Sequence, residues 1–193
     1  LTNTLFRNNN ADEGGAIYQR VSSFPEDQST INTSIFRNNG ATYGGAVYSK
    51  RSTLIDSQFM ANTAVNNGAA LYSGTNLVQH CLFVSNNANS GAVLAENSGS
   101  IYNSIFWDNL STTFTNPGTV ANSIIPGGYT GDGNVSSDPL FINKTLGDYS
   151  LQKYSQAIEA GTVNILALAQ QDLGGIARPQ YNKPDIGLHE YNS

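Results

Sequence analysis

The sequence predicts an all-β fold, a parallel β-solenoid of about six coils that ends in an irregular cap. The first observation is a repeat, because Phe recurs at intervals of 30, 23, 24 and 23 residues, and repetition at a regular period is the signature of stacked architectures. The second is that the apolar stretches are short, β-branched or aromatic, and interrupted by Asn and Gly. Such stretches predict short strands and tight turns rather than helices. The repeated residues are Phe6, Phe36, Phe59, Phe83 and Phe106.

Two further columns accompany the Phe column. Strand alternation places each Phe and the small residue two positions before it on one face, which we assign to the interior. The small residues are Thr4, Ser34, Ser57, Cys81 and Ser104. An aliphatic residue five positions before each Phe is also expected to point inward, across a bend. These residues are Leu1, Ile31, Leu54, Val78 and Ile101.

Asn and Gly mark the corners of each predicted coil. Three positions after each Phe stands an Asn, where the chain is expected to turn, to adopt left-handed geometry and to bond the backbone or the stacked Asn of the next coil. These residues are Asn9, Asn39, Asn62, Asn86 and Asn109. Paired glycines, Gly14-Gly15 and Gly44-Gly45, then lead into an apolar strand and permit a sharp corner at positive φ.

The repeat divides the chain into two regions. The coils are predicted over residues 1–125, with an insertion near residues 20–29 and a degenerate sixth copy from Val120 to Ile125. Residues 126–193, here called the C-terminal region, are predicted to form a final coil and a cap, with a helical turn over residues 163–171. A cap is expected because an open coil exposes unpaired strand edges.

The signals Phe-x-x-Asn and Gly-Gly-Ala-[Ile/Val]-Tyr resemble those of right-handed parallel β-helix proteins of the pectate-lyase-like class. They are similar to the repeats of chlamydial polymorphic outer-membrane proteins and of many bacterial surface proteins. The resemblance covers about residues 1–125 and implies a single-stranded, right-handed coil with three sheets. It leaves the activity open, since this architecture serves lyases, hydrolases, adhesins and passive stalks.

The C-terminal region resembles that of bacterial choice-of-anchor Q surface proteins, although Gln156 and Glu159 replace the usual Pro and Asp. The resemblance implies an exported bacterial protein, attached to the cell surface or secreted. We expect Asp172, Arg178, Asp185 and Glu190 to form ion pairs and turns in the cap. The matching steps are Asp138-Pro139-Leu140-Phe141, Ser155-Gln156-Ala157-Ile158-Glu159-Ala160-Gly161 and Arg178 through Asp185-Ile186-Gly187 to Glu190-Tyr191.

Composition and motifs exclude several classes. The net charge of −5 disfavours a nucleic-acid binder, no apolar stretch reaches the about 18 to 20 residues of a membrane span, and one cysteine excludes an internal disulfide. No metal or cofactor is predicted. The polar column three positions before each Phe could coordinate a cation or could be a solvated strand face. It comprises Asn3, Thr33, Asp56, His80, Asn103 and Asn122.

Catalytic residues are not predicted, and whether the chain is an enzyme stays uncertain. Asp56 and Asp108 could lie about 10 Å apart, near the spacing that a glycosidase requires, but they occupy different repeat positions. Arg37 and Lys50-Arg51 lack the Asp cluster that lyases of this fold carry.

Six residues are candidates for surface binding. Arg7, Arg37 and Trp107 follow the repeated Phe and therefore point outward by alternation. Tyr18, Tyr48 and Tyr72 form a second column, which would suit sugar stacking if it faces outward and would be core if it faces inward.

The preferred function is a non-catalytic structural or adhesive segment of a bacterial cell-surface protein, at the surface or outside the cell, with a polysaccharide or a host or neighbouring surface as partner. The alternative is the C-terminal part of a β-helix polysaccharide lyase or glycoside hydrolase whose active site lies upstream. Residues 1–10 are expected to leave an open strand edge that pairs with upstream coils or with another copy end to end.

Overall fold

The computed structural model describes residues 1–19, 28–95, 98–163 and 170–192. Most of the predicted insertion and most of the predicted helical turn lie outside these residues. Apart from one 3₁₀ turn, Lys144–Leu146, the regular secondary structure of the described residues consists of strands. These are β1 (Leu5–Arg7), β2 (Ile17–Gln19), β3 (Ser29–Asn32), β4 (Ile35–Arg37), β5 (Gly40–Tyr43), β6 (Val47–Ile55), β7 (Gln58–Met60), β8 (Thr63–Asn67), β9 (Leu71–Gln79), β10 (Leu82–Val84), β11 (Asn87–Ala88), β12 (Ala92–Ala95), β13 (Ser100–Tyr102), β14 (Ile105–Trp107), β15 (Thr112–Phe114), β16 (Val120–Ala121), β17 (Phe141–Asn143) and β18 (Asp148–Leu151).

Three parallel sheets build the solenoid, which confirms the predicted architecture. The Phe sheet has the order β1-β4-β7-β10-β14, a small sheet has the order β11-β8-β5, and the third sheet is built around the long strands β6 and β9. Five strands in the Phe sheet span four turns, so the prediction of about six coils was too high. The degenerate sixth copy adds only the short strand β16 and single bridges of Ile124 to Ile105 and Val135.

The predicted Phe column is the centre of the core. The rings of neighbouring coils stack 4.7–5.0 Å apart and within 11° of parallel, and the aliphatic column from Ile31 to Val120 is buried beside them. In the small column, hydroxyls bond backbone N–H groups of the preceding coil, as between Ser57 Oγ and the Ser34 amide at 3.2 Å. Equal spacing along the sequence thus becomes equal spacing along the solenoid.

The Asn column forms a buried ladder, as the sequence indicates, but it does not carry the left-handed residue. Each Asn Nδ2 donates to the Oδ1 of the next coil's Asn, over 2.9–3.1 Å. The residue before the Asn has positive φ instead, at 50–58°. Each Asn side chain must point inward to bond the Asn of the next coil, and the residue before it therefore takes the left-handed conformation of the turn. Those residues are Asn8, Asn38, Ala61, Ser85 and Asp108.

The paired glycines serve two different needs. Gly14 and Gly44 have φ of 61° and 66°, which side chains rarely tolerate. The second members, Gly15 and Gly45, lie so close to the next coil that a Cβ would overlap its backbone carbonyls. The corner therefore requires the first glycine for its conformation and the second for the approach of the coils.

The C-terminal region is irregular, as predicted, but only its first part covers the end of the solenoid. The Tyr129 ring meets the Phe114 ring edge-on at 5.3 Å, and Val135 pairs with Ile124. The remainder turns back and lies along the outer face of the Phe sheet, where strands β17 and β18 form an antiparallel hairpin. Beyond the predicted cap, the C-terminal region therefore also covers the outer face of the Phe sheet, because apolar residues on that face are buried against it.

Candidate functional site

The outer face of the Phe sheet is divided between a covered and an open part. On the later coils its side chains are apolar, and Leu82, Ile105 and Ile124 are buried against the C-terminal region. On the first two coils the positions equivalent to Leu82 and Ile105 are occupied by Leu5 and Ile35. The positions equivalent to Val84 and Trp107 are occupied by Arg7 and Arg37, which are exposed. The C-terminal residues in this second core include Phe141, Tyr149, Leu151, Ala157, Ile186 and Leu188.

A buried ion-pair cluster fixes the C-terminal region to the solenoid. Arg178 Nε donates to Glu190 Oε1 over 2.8 Å, and its Nη1 donates to Asp56 Oδ1. Its Nη2 reaches the carbonyls of residues 187 and 188 at 3.3 and 3.2 Å. All three side chains are buried. The Arg178 cluster, namely Asp56, Arg178 and Glu190, thus pairs one guanidinium with two carboxylates away from solvent.

The other predicted cap carboxylates bond backbone amides. Asp172 accepts from the Glu190 amide at 2.8 Å, and Asp185 accepts from the Glu159 amide at the same distance. Burial raises the pKa of Asp185 to about 6. The expected roles of these residues in ion pairs and turns are confirmed, although the segment they order lies beside the solenoid rather than only at its end.

The polar column three positions before each Phe is the line along which the C-terminal region contacts the solenoid, and we call it the docking seam. Its members have φ of 45–51°, so each forms a corner of the coil. Asn103 Nδ2 donates to the Thr162 carbonyl at 2.9 Å, and Asn122 Nδ2 donates to the Ala160 carbonyl at 3.1 Å. Where the C-terminal region covers the column, the column is not a solvated face, because these amides bond backbone carbonyls. The described residues contain no group of three or more His, Cys, Asp or Glu placed to hold a metal ion.

Burial controls the protonation of two residues in this seam. It raises the pKa of Asp56 to about 6, against the opposing attraction of Arg178. It lowers the pKa of His80 well below the ordinary range of an imidazole, and the nearby Arg178 charge acts in the same direction. His80 is therefore a neutral imidazole near neutral pH, with Nε2 3.0 Å from Asn103 Nδ2.

Asp56 and Asp108 do not form a carboxylate pair of the kind a glycosidase uses. Asp56 is buried in the Arg178 cluster. Asp108 is partly exposed and accepts a bond from Lys144 Nζ at 2.7 Å. The two residues occupy different corners of their coils, one before the Phe strand and one after it, and each has its own cationic partner.

Arg7 and Arg37 line an open groove between the Phe sheet and the β17–β18 hairpin. We call it the basic groove and define it by Arg7, Arg37, Met60, Lys144 and Tyr149. Its volume is about 490 Å³. Tyr149 Oη lies 3.7 Å from Met60 Sδ at the closed end, and burial raises the pKa of this phenol. The groove thus combines cationic side chains with apolar ones.

The Tyr column faces outward on the sheet of long strands. Val47 and Ser49 on either side of Tyr48 are buried, whereas Tyr18 is 49% exposed. The rings lie 5.3 Å apart for Tyr18 and Tyr48 and 5.1 Å apart for Tyr48 and Tyr72. Because the rings stack on one another, most ring faces are occupied and the edges point to solvent.

The six candidate residues do not form one surface. Arg7 and Arg37 share the basic groove, and the three Tyr residues lie on another sheet. Trp107 is partly buried and packs against the second core. Sequence reasoning missed Lys144 and Tyr149, which come from outside the repeat. The pairing of Asp56 with Arg178 across 122 residues was also missed, because no local pattern signals such a contact.

Comparison with known proteins agrees with this geometry. The Chlamydia polymorphic membrane protein repeat matches residues 3–20 and 33–50. Two coils of the chain are thus similar to this repeat. Together with the solenoid fold, this match supports a β-helix segment of the kind found in bacterial surface proteins, and it confirms the resemblance of the repeats. Both matched segments contain the Phe-Arg-Asn-Asn step that places Arg7 and Arg37 in register.

Two other comparisons gave no match. Neither the curated proteins nor the solved structures contain a significant match to this chain. Within the described ranges, no helix is both long enough and apolar enough to cross a membrane.

Proposed function

We propose that this chain is an adhesive segment of an exported bacterial cell-surface protein, and that it binds polysaccharide without cleaving it. The observation that carries the proposal is the basic groove, an open site on the flank of a rigid stack of coils. The buried state of the Arg178 cluster supports the non-catalytic part, because an acid or base must reach the proton it transfers. The repeats support placement at the cell surface.

A binding screen on the intact chain tests this proposal. The chain is applied to immobilised glycans, with neutral, carboxylated and sulfated polymers represented, and each polymer is also incubated with the chain in solution. The proposal expects retention on at least one glycan with no release of reducing or unsaturated ends. Retention on none of them would overturn the adhesive function, and release of new ends would favour the lyase or hydrolase alternative.

We also propose that the N-terminal edge of the solenoid pairs in parallel with a further strand, from the same protein or from a second copy. Leu1 and Leu5 are 50% and 55% exposed, and Phe6 stacks on only one repeat ring. An apolar opening of about 460 Å³ lies beside them, lined in part by Ile17 and Ile31. An added coil would cover this opening and complete the hydrogen bonds of β1.

Light scattering over a concentration series tests the second-copy form of this pairing. A Leu5→Lys variant places a charge on the edge strand, and Val65→Lys, at an exposed position on another sheet, is the matched control. Association that Leu5→Lys abolishes and Val65→Lys preserves supports the proposal. A chain that stays monomeric at high concentration, with β1 ordered yet open to water in an experimental structure, would refute pairing with a second copy.

A further inference from the structure

The basic groove contains two arginines that repel each other and have no carboxylate partner. Arg7 and Arg37 are Cα partners on adjacent parallel strands, which are about 4.8 Å apart. Like charges directly opposite each other destabilise a sheet. In the part of the chain that the structure describes, neither guanidinium takes part in an ion pair. An anion bound between them would remove this repulsion.

A third cation reaches the groove from a separate element. Lys144 begins the 3₁₀ turn between β17 and β18 and is held 2.7 Å from Asp108 Oδ2. The groove thus contains three of the chain's nine Lys and Arg residues, although the chain as a whole carries a net charge of −5. Asp108 neutralises Lys144 in part, so the uncompensated positive charge is that of Arg7 and Arg37.

The size and walls of the groove fit an extended sugar chain. Its volume of about 490 Å³ lies within the roughly 300–1,000 Å³ of ligand sites. Ile35, Met60 and Tyr149 provide an apolar floor beside the cations. Guanidinium groups bind the planar or tetrahedral oxygens of carboxylates and sulfates through paired hydrogen bonds.

We propose that the basic groove binds an acidic polysaccharide, holding carboxylate or sulfate groups on neighbouring sugar units with Arg7 and Arg37. Lys144 borders the same chain from the hairpin side. The inference deepens the adhesive function proposed above and rests on it, since it names the site and the chemical class of the ligand. It also gives the Tyr column no part in binding, because its ring faces are already stacked on one another.

Three polymers distinguish recognition of the anionic group from recognition of the sugar backbone. Dextran and dextran sulfate share a backbone and differ in sulfate, while alginate carries carboxylates. Affinities are measured by calorimetry or biolayer interferometry on the whole chain at two salt concentrations. We expect saturable binding of dextran sulfate or alginate, weaker at the higher salt concentration, and none of dextran. The preferred polymer then reports whether sulfate or carboxylate is the natural group.

Two double variants with equal change of net charge locate the site. Arg7→Gln/Arg37→Gln removes the proposed contacts, and Lys50→Gln/Lys183→Gln removes two exposed cations elsewhere. The first should bind the acidic polymer at least about tenfold more weakly, because each charge-assisted bond is worth more than a neutral one. The second should stay within about twofold of the parent. All four residues are exposed, so circular dichroism should not change and the melting temperature of neither variant should fall.

The possible failures are distinguishable. Glycan binding that Arg7→Gln/Arg37→Gln leaves intact overturns the groove assignment but keeps the adhesive function. An equal loss in both double variants overturns it as well, because binding would then follow net charge. Equal affinity for a single-stranded DNA of the same charge would refute recognition of a polysaccharide. No binding to any of the glycans in the screen would overturn both proposals.

Discussion

Removal of one ring from the middle of the Phe column is the most direct test of the core. Phe59 is fully buried and stacks on Phe36 at 4.8 Å and on Phe83 at 4.9 Å. Phe59→Ala therefore loses two ring pairs, each worth about 0.5–1.5 kcal/mol, together with the transfer of a whole ring and a cavity. Core substitutions of this type cost about 3–5 kcal/mol, and we expect the upper half of that range.

Phe6→Ala is the matched control at the end of the same column. Phe6 is partly buried and has one ring neighbour in the column, at 5.0 Å. One lost pair and a partly solvated cavity should reduce the cost to about 1–2 kcal/mol. Urea unfolding followed by circular dichroism and by fluorescence of the sole Trp, Trp107, gives both free energies of unfolding. A Phe59→Ala cost below about 1 kcal/mol, or no greater than that of Phe6→Ala, would mean that the column is not the core.

Three further predictions concern the docked C-terminal region and the enzyme alternative. Arg178→Met should lower the free energy of unfolding by about 3–5 kcal/mol, because Asp56 and Glu190 lose a buried partner; a urea titration that gives less than 1 kcal/mol would contradict the ion-pair cluster. Relative to His80→Asn, the parent should lose stability between pH 6.5 and 5, up to a limit of about 1.6 kcal/mol, since its unfolded state gains the imidazole proton there while its folded state resists it; parallel pH curves would contradict a neutral His80. The intact chain should release no unsaturated or reducing ends from pectin, alginate or chondroitin; release that Asp108→Asn abolishes would establish an enzyme.

The sign of the His80 effect follows from its lowered pKa. The folded state resists protonation of the buried imidazole, so stability is lost as the pH falls below the unfolded pKa of about 6.5. Asp56 and Asp185 have raised pKa values of about 6 and produce the opposite slope, with stability lost as the pH rises from about 4 to 6. Both carboxyls remain in His80→Asn, so the difference between the two curves isolates the imidazole.

The coils were predictable because the same local requirement is repeated in each of them. An inward Phe, a small hydrogen-bonding residue and an inward Asn recur at fixed spacing, so chance agreement is remote and the parallel pairing follows directly. The identity of the left-handed residue was not predictable in the same way. Asn suits both an amide ladder and a left-handed corner, and only the packing of Asn62 between its two neighbours decides between them.

The position of the C-terminal region could not be derived from the repeat, because its contacts occur once. Arg178 and Asp56 are 122 residues apart and share no pattern. The sequence nevertheless contained an unused signal in the outward column after each Phe. That column changes from Arg at residues 7 and 37 to Met60, Val84 and Trp107. A change from charged to apolar side chains along one face indicates where the face becomes covered.

The same change of side chains explains why a ligand site should lie at this border and not elsewhere on the chain. Beyond Met60, the outer face of the Phe sheet is covered by the C-terminal region, which Arg178 fixes to the solenoid through Asp56 and Glu190. On the first two coils the face is open, but the hairpin that carries Lys144 overhangs it and forms one wall of a groove. The solenoid places Arg7 and Arg37 one coil apart, and the C-terminal region forms the second wall of the groove. A polymer with regularly spaced anionic groups matches the spacing of the two arginines, and the second wall is required to retain the polymer on the surface.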